Sequence, residues 1–312
     1  MKINMNKHTI GCALFCAALA PMQLSAAEFK ISGQVNSAVV FGGEVQDPTI
    51  VDNNTQGSRF RFQGSTDINA DYKAGFRYEM QVQDNNSTTL GDGLTEIRYS
   101  DVWFSGNFGK LGIGKGDGAA NNTFEAYSLI NFMAGGLGEL LFRGSTNLGY
   151  RTKDGIGRQN RVRYDSPNFN GFSVAVSLDN DDTNEYALRY KQKLASGKLD
   201  ARLGVADRVV SRTSYSVAYK HNSGVSASYS FGEDDVATGE DDVDWIMLGY
   251  DVVDNVTLSF GTGEENGGDE MQILAVLWAP TKGVEMYFHS MDYTNADNSS
   301  GDAMALGSRF KF

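Results

Sequence analysis

From residue 29 to the C-terminus, apolar side chains recur at every second position in short runs, and no segment supplies the ~20 consecutive apolar residues that a membrane helix needs. A period of two describes a strand with one greasy and one wet face. In the first run Phe29, Ile31, Val35, Val39 and Phe41 share a face, with Lys30, Ser32, Gln34 and Asn36 on the other. Phe60 and Phe62 alternate with Arg59, Arg61 and Gln63. Next, Ala74, Phe76, Tyr78, Met80 and Val82 oppose Lys73, Arg77, Glu79 and Gln81. Later runs are cleaner: Phe172, Val174, Val176 and Leu178 alternate with Ser173, Ala175 and Ser177, and Val225, Ala227, Tyr229 and Phe231 with Ser226, Ser228 and Ser230.

The runs start near residues 29, 58, 72, 94, 110, 158, 172, 183, 199, 211, 225, 242, 256, 269, 284 and 302. They predict sixteen strands, an even number, as a bacterial single-chain barrel has; moving boundaries by about two to four residues gives fourteen or eighteen. Short turns such as Asn69 to Asp71, Gly106 to Gly109, Pro167 to Gly171, Asn222 to Gly224 and Pro280 to Gly283 alternate with longer acidic links, Gly232 to Asp241, Glu264 to Asp269 and Tyr293 to Gly301. That is the threading of a transmembrane barrel. Closure follows because an unpaired strand edge in hydrocarbon costs several kcal/mol per backbone group. The last residues suit a closing strand, Leu306, Phe310 and Phe312 facing one way, Arg309 and Lys311 the other. Two places break the pattern. Nearly every residue from Met271 to Ala279 is apolar, on both faces, as in a soluble parallel sheet, and Trp245 and Ile246 compete for the greasy face.

At the N-terminus Lys2 and Lys7 precede the apolar run Ile10 to Ala20, Pro21 and Ser25-Ala26-Ala27, the layout of a secretory leader cut after Ala27. Residues 1–27 are therefore expected to be a cleaved signal peptide and 28–312 one barrel domain. Both cysteines, Cys12 and Cys16, lie in the leader, so no disulfide staples the rest. The leader holds two lysines and no acid, leaving 25 basic against 39 acidic residues, a net charge of −14. Nucleic-acid binding is excluded on that balance.

Stretches of the chain resemble the Gram-negative outer-membrane porin family, in particular the sixteen-stranded trimeric general-diffusion porins of α-proteobacterial type. They are Gly57-Ser58-Arg59-Phe60-Arg61-Phe62, Arg98-Tyr99-Ser100-Asp101-Val102-Trp103 running into Phe108-Gly109-Lys110-Leu111-Gly112-Ile113-Gly114, and Asn160-Arg161-Val162-Arg163-Tyr164-Asp165-Ser166-Pro167 with Phe169, Gly171 and Phe172. The Tyr-x-Ser-Pro turn is the most specific. The terminal Phe312 resembles the signal that outer-membrane proteins present to their insertion machinery. The resemblance implies a homotrimer in the outer membrane, in contact with its lipid and lipopolysaccharide, passing small hydrophilic solutes and ions. It further implies that the loop after the fifth strand, here residues 117–157, folds into the lumen and constricts it. Leu129-Ile130-Asn131-Phe132-Met133 and Leu140-Leu141-Phe142 are too apolar for a free loop, and a short buried helix of a soluble domain is the alternative. The enterobacterial Pro-Glu-Phe-Gly-Gly motif is missing from this loop.

A pore selects by width and by charges close to the solute. Alternation turns Arg59, Arg61, Arg77, Arg98, Arg161 and Arg163 toward the lumen, and the long loop offers Asp117, Glu125 and Glu139. These arginines and acids are expected to confront each other across the constriction. The acidic runs Glu233-Asp234-Asp235 and Glu240-Asp241-Asp242 read as solvated surface rather than a calcium loop. Trp103, Trp245 and Trp278 suit interfacial girdles or core packing. With only His221 and His289 beyond the leader, no Gly-x-Ser-x-Gly and no His-Glu-x-x-His, neither an enzyme nor a cofactor is expected. A substrate-specific outer-membrane channel is the alternative to a general one, and would want a ladder of inward aromatics. A soluble β-sandwich adhesin is the other alternative.

Overall fold

A computed structural model of the protein describes residues 28–42, 45–53, 56–85, 93–125, 153–208, 210–236, 239–265, 268–294 and 298–312. The expected leader and Glu139 lie outside the described residues. The described residues form seventeen strands: β1 (Glu28–Gly42), β2 (Val45–Asp52), β3 (Arg59–Asp67), β4 (Lys73–Gln83), β5 (Leu94–Gly106), β6 (Gly109–Asp117), β7 (Arg158–Asp165), β8 (Phe172–Asp179), β9 (Asn184–Leu194), β10 (Gly197–Asp207), β11 (Arg212–His221), β12 (Val225–Val236), β13 (Gly239–Val253), β14 (Val256–Glu265), β15 (Asp269–Thr281), β16 (Val284–Thr294) and β17 (Ser300–Lys311). Sixteen of them begin within three residues of an expected start.

Those sixteen form an antiparallel ring, each paired with its neighbour in sequence and closed by β1 on β17 from Gln34↔Lys311 to Gly42↔Ala303. The extra strand is β2, whose sequence carries Pro48 and two aspartates and gives little strand signal. It runs in line with β3: β1 pairs with β2 along Ser37 to Gly42 and with β3 along Glu28 to Gln34. The described residues between these collinear strands, Asn53 and 56–58, make an inward step. Asn53 and Ser58 are buried, Asn53 Nδ2 donates to Tyr287 Oη at 2.9 Å, and that hydroxyl donates to Asn36 Oδ1 at 2.8 Å.

The faces sort as closed-barrel physics requires. Leu248, Leu306 and Phe310 stand outward while Asn36, Glu79, Arg202, Ser230 and Arg309 are buried inside. The same strands explain the double-apolar run. Met271 and Ile273 turn inward and pack with Val243, Trp245, Met247 and Met291 in one buried cluster, while Leu274 and Trp278 face out. This part of the inner wall is thus a packed core, and Phe124 from the connection after β6 belongs to it. Trp245 faces inward and Ile246 outward, so only Trp278 of the three tryptophans lies on the outer face. Three large inward aromatics have a glycine directly opposite on a neighbouring strand, Gly75 for Trp103, Gly263 for Trp245 and Gly307 for Tyr287, where a Cβ would collide with the ring.

One expected link is corrected. The acidic stretch from Gly232 to Asp241 is largely strand, because β12 and β13 stay paired as far as Val236↔Gly239. Its carboxylates ride on paired backbone at the long-link end of the barrel instead of in a free loop.

Candidate functional site: an arginine-rich inner wall

The inner face of β3 to β7 gathers charge through cross-strand register. Arg61 lies directly opposite Glu79, Gln63 opposite Arg77, and Arg59 opposite Gln81. On β5 the pairing with β4 slips by one residue beside Glu79, so both Arg98 and Tyr99 turn inward between outward Ile97 and Ser100. A bulge re-aims side chains in this way. Simple alternation places Arg98 inside but sends Tyr99 to the lipid.

Four guanidiniums converge on the Glu79 carboxylate, which has no exposed surface. Arg61 and Arg77 reach Oε2 at 2.6 and 2.7 Å, Arg98 reaches Oε1 at 3.0 Å and Arg59 at 3.5 Å. Arg98 also donates to Gln81 Oε1 at 2.6 Å, and Arg59 to the Gly57 carbonyl at 2.8 Å in the inward step. The Arg77 guanidinium lies 3.4 Å over the Tyr99 ring. Arg161 is fixed by Asp101 at 3.1 Å and by the carbonyls of Asp117 and Gly114. Arg163 grips Asp165 with two nitrogens and donates to the carbonyls of Asp117 and Gly118.

The expected partnership is therefore redrawn. The first four arginines meet a wall carboxylate rather than a loop acid, because a cross-strand neighbour is within reach without crossing the lumen. Asp117 is the last residue of β6; its carboxylate accepts from Tyr99 Oη at 2.5 Å and pairs with Arg158 at 3.4 Å. Glu125 offers its carbonyl to Arg202 on β10, six strands round the ring from β4. Glu79, Asp101, Arg158 and Asp165 are wall residues that the expected site set lacks. Alternation places Glu79 beside Arg77, but what singles it out is a cross-strand register that is hard to read from one strand. Seven arginines (59, 61, 77, 98, 158, 161 and 163) share four carboxylates on this wall, Glu79, Asp101, Asp117 and Asp165. In front of them is a space of about 480 Å³, lined among others by Arg61, Arg77, Trp103, Lys110 and Arg163. Its lining carries a cationic surplus that attracts anions.

The described ends of the long connection, residues 118–125 and 153–157, lie against the inner faces of β8 to β13. Thr123 Oγ1 is 2.6 Å from Ser214 Oγ, Arg202 donates to the carbonyls of Asn122 and Glu125, and Lys153 pairs with Asp234 and Asp241 at 3.0 and 2.8 Å. Asp154 joins the two ends by accepting the N–H groups of Asn122 and Phe124 at 3.0 and 2.7 Å. Burial pushes the Asp154 carboxyl well above the usual range, and the neighbouring Glu125 charge adds to this, against the two N–H donors. A carboxyl raised by folding stabilises most when protonated, so the hold on the connection is strongest in acid and weakens as pH rises through the raised value. Hydrogen exchange at the Asn122 and Phe124 amides, corrected for intrinsic rate, is expected to slow as pH is lowered through the raised value, and Asp154→Asn to abolish that dependence. An unchanged pH response in Asp154→Asn would contradict it.

A family profile described as Gram-negative porin matches residues 12–307. Outer membrane porin protein 32 of Delftia acidovorans is 29% identical over 215 residues, 67% of this chain and 53% of that protein, so the chain matches about half the length of this relative. Among solved structures, the anion-selective porin from Comamonas acidovorans superposes with a TM-score of 0.69 at 18% identity, covering 92% of this chain and all of that one. The trimer form of OmpT, an outer membrane protein of Vibrio cholerae, gives 0.64 at 17% identity, with 92% and 100% coverage. At such identities the likeness is one of fold.

Proposed function

The chain belongs to the Gram-negative porin family, and from that premise we propose that it forms a water-filled outer-membrane channel for passive diffusion of small hydrophilic solutes and ions. The observation that carries this reading is the segregation of side chains across one closed sheet, oily outside and seven arginines inside. The chain acts as a channel rather than an enzyme, and no cofactor takes part. The arginine surplus of the β3–β7 wall makes the pore anion-preferring, with the connection after β6 narrowing it from the opposite side. Residues 1–27 serve as the leader, on the strength of the two lysines, the apolar run Ile10 to Ala20 and Ser25-Ala26-Ala27. The working form is a homotrimer, by analogy with the OmpT trimer; its outer band meets acyl chains and its long-link rim lipopolysaccharide.

The test is planar-bilayer recording across a salt gradient. The purified protein is expected to give discrete steps with a reversal potential on the anion side. Arg59→Ala and Arg61→Ala are each expected to move that potential toward cations and to change the step size. Variants indistinguishable from the parent in both quantities would remove the arginine wall from the selectivity mechanism, and absence of steps would remove the channel.

A further inference from the structure

Glu185, on β9, is a buried carboxylate that faces the lumen away from the Glu79 cluster. Its two oxygens are divided between the two ends of the connection after β6. Oε2 accepts the N–H of Ala120 at 2.8 Å, and Oε1 accepts the N–H of Ile156 at 2.6 Å. Thirty-five residues of chain separate those two amides, yet one side chain holds both. The surroundings are shaped to it. A Cβ on Gly118 would collide with the carboxylate, and one on Gly155 would come within 2.9 Å of both oxygens. Neither glycine has a left-handed backbone, so space for the carboxylate is what these positions supply.

The neighbouring anchors each act on one end. Ser177 Oγ accepts from Ala119 N at 2.8 Å, Arg189 donates to the carbonyls of Ala119 and Asn121, and Arg212 donates to the carbonyl of Asp154. Glu185 bonds both ends with a single side chain.

We propose that Glu185 is the positioning residue of the pore: its carboxylate latches both ends of the connection to β9, and so holds the open-channel current steady. The proposal rests on the channel reading. The chemistry requires a carboxylate with two acceptor oxygens and no hydrogen. Glutamine puts an NH2 against one backbone N–H, so two donors meet in a buried space. Aspartate keeps the charge but is shorter by one methylene, which separates reach from charge.

Glu185→Gln, Glu185→Asp and Gly155→Ala should be compared with the parent protein by hydrogen exchange and by open-channel noise in bilayers. Their gel mobility, unheated and heated, reports whether the barrel has formed. Losing one buried hydrogen bond corresponds to a roughly tenfold larger population with an end detached. The expected result is roughly tenfold faster exchange at the Ala120 and Ile156 amides in Glu185→Gln, a smaller acceleration in Glu185→Asp, and higher noise in both. Gly155→Ala, which leaves the charge in place, should reproduce the effect. A residue that merely stabilised the barrel would lower its melting temperature without this localised exchange and noise. Folded barrels with parental exchange and noise in Glu185→Gln and Gly155→Ala would overturn the proposal. If the parent gives no channel steps, the channel reading fails by itself while the exchange data still report on the latch.

Discussion

Leu203→Arg is expected to cost about 2–4 kcal/mol, the penalty for a cation on the lipid face near the bilayer midplane. Leu203 lies near the middle of β10 and is 43% exposed on the outer side. One residue earlier Arg202 is buried on the inner side, gripped by Asp200 at 2.9 and 2.6 Å. The two positions share a height and differ only in face, so a guanidinium that is satisfied at 202 has no partner at 203. Denaturant titration of the protein in lipid vesicles reads the difference. A variant as stable as its parent would mean that β10 does not present this face to hydrocarbon, and the outward assignment of the other strands would fall with it.

Glu79→Gln is expected to have the largest effect within the lumen. The four guanidiniums lose the anion they share, and the wall gains one unit of positive charge. Removing one partner of a buried ion pair costs about 3–5 kcal/mol. Arg61 and Arg77 are about a third exposed to lumen water, which puts the expected loss at the lower end, about 3 kcal/mol. The reversal potential in a salt gradient is expected to move further toward anions. A shift toward cations, or none, would mean that the arginines are not felt by the permeating ion.

Much of the barrel is legible in the sequence because a period of two is a covalent property of a strand, and lipid on one side with water on the other forces the alternation. Phe172 to Leu178 shows it most plainly: every outward residue is large and apolar, and every inward one is Ser or Ala. The reading fails where a residue's environment is set by a distant part of the chain. Met271 and Ile273 are apolar on the inner face because that wall is packed and not wet. Tyr99 turns inward through a register slip that the β5 sequence alone does not encode. β2 is held by pairing with β1 despite Pro48. In the site, alternation finds the arginines individually, but their common partner Glu79 follows from which residues of β3, β4 and β5 stand side by side, and one chain without relatives does not supply that register.

The seam between β1 and β17 sets the order in which this molecule can be made. Gly33 and Phe312 exchange two backbone hydrogen bonds across nearly the full length of the chain, and Phe312 packs on Phe60 from β3. A sheet lacking β17 cannot make those contacts, so it carries two raw margins. Assembly of this kind has a high contact order and a late commitment. Ring closure therefore waits for β17, and the circle can be joined only once that strand is available to β1.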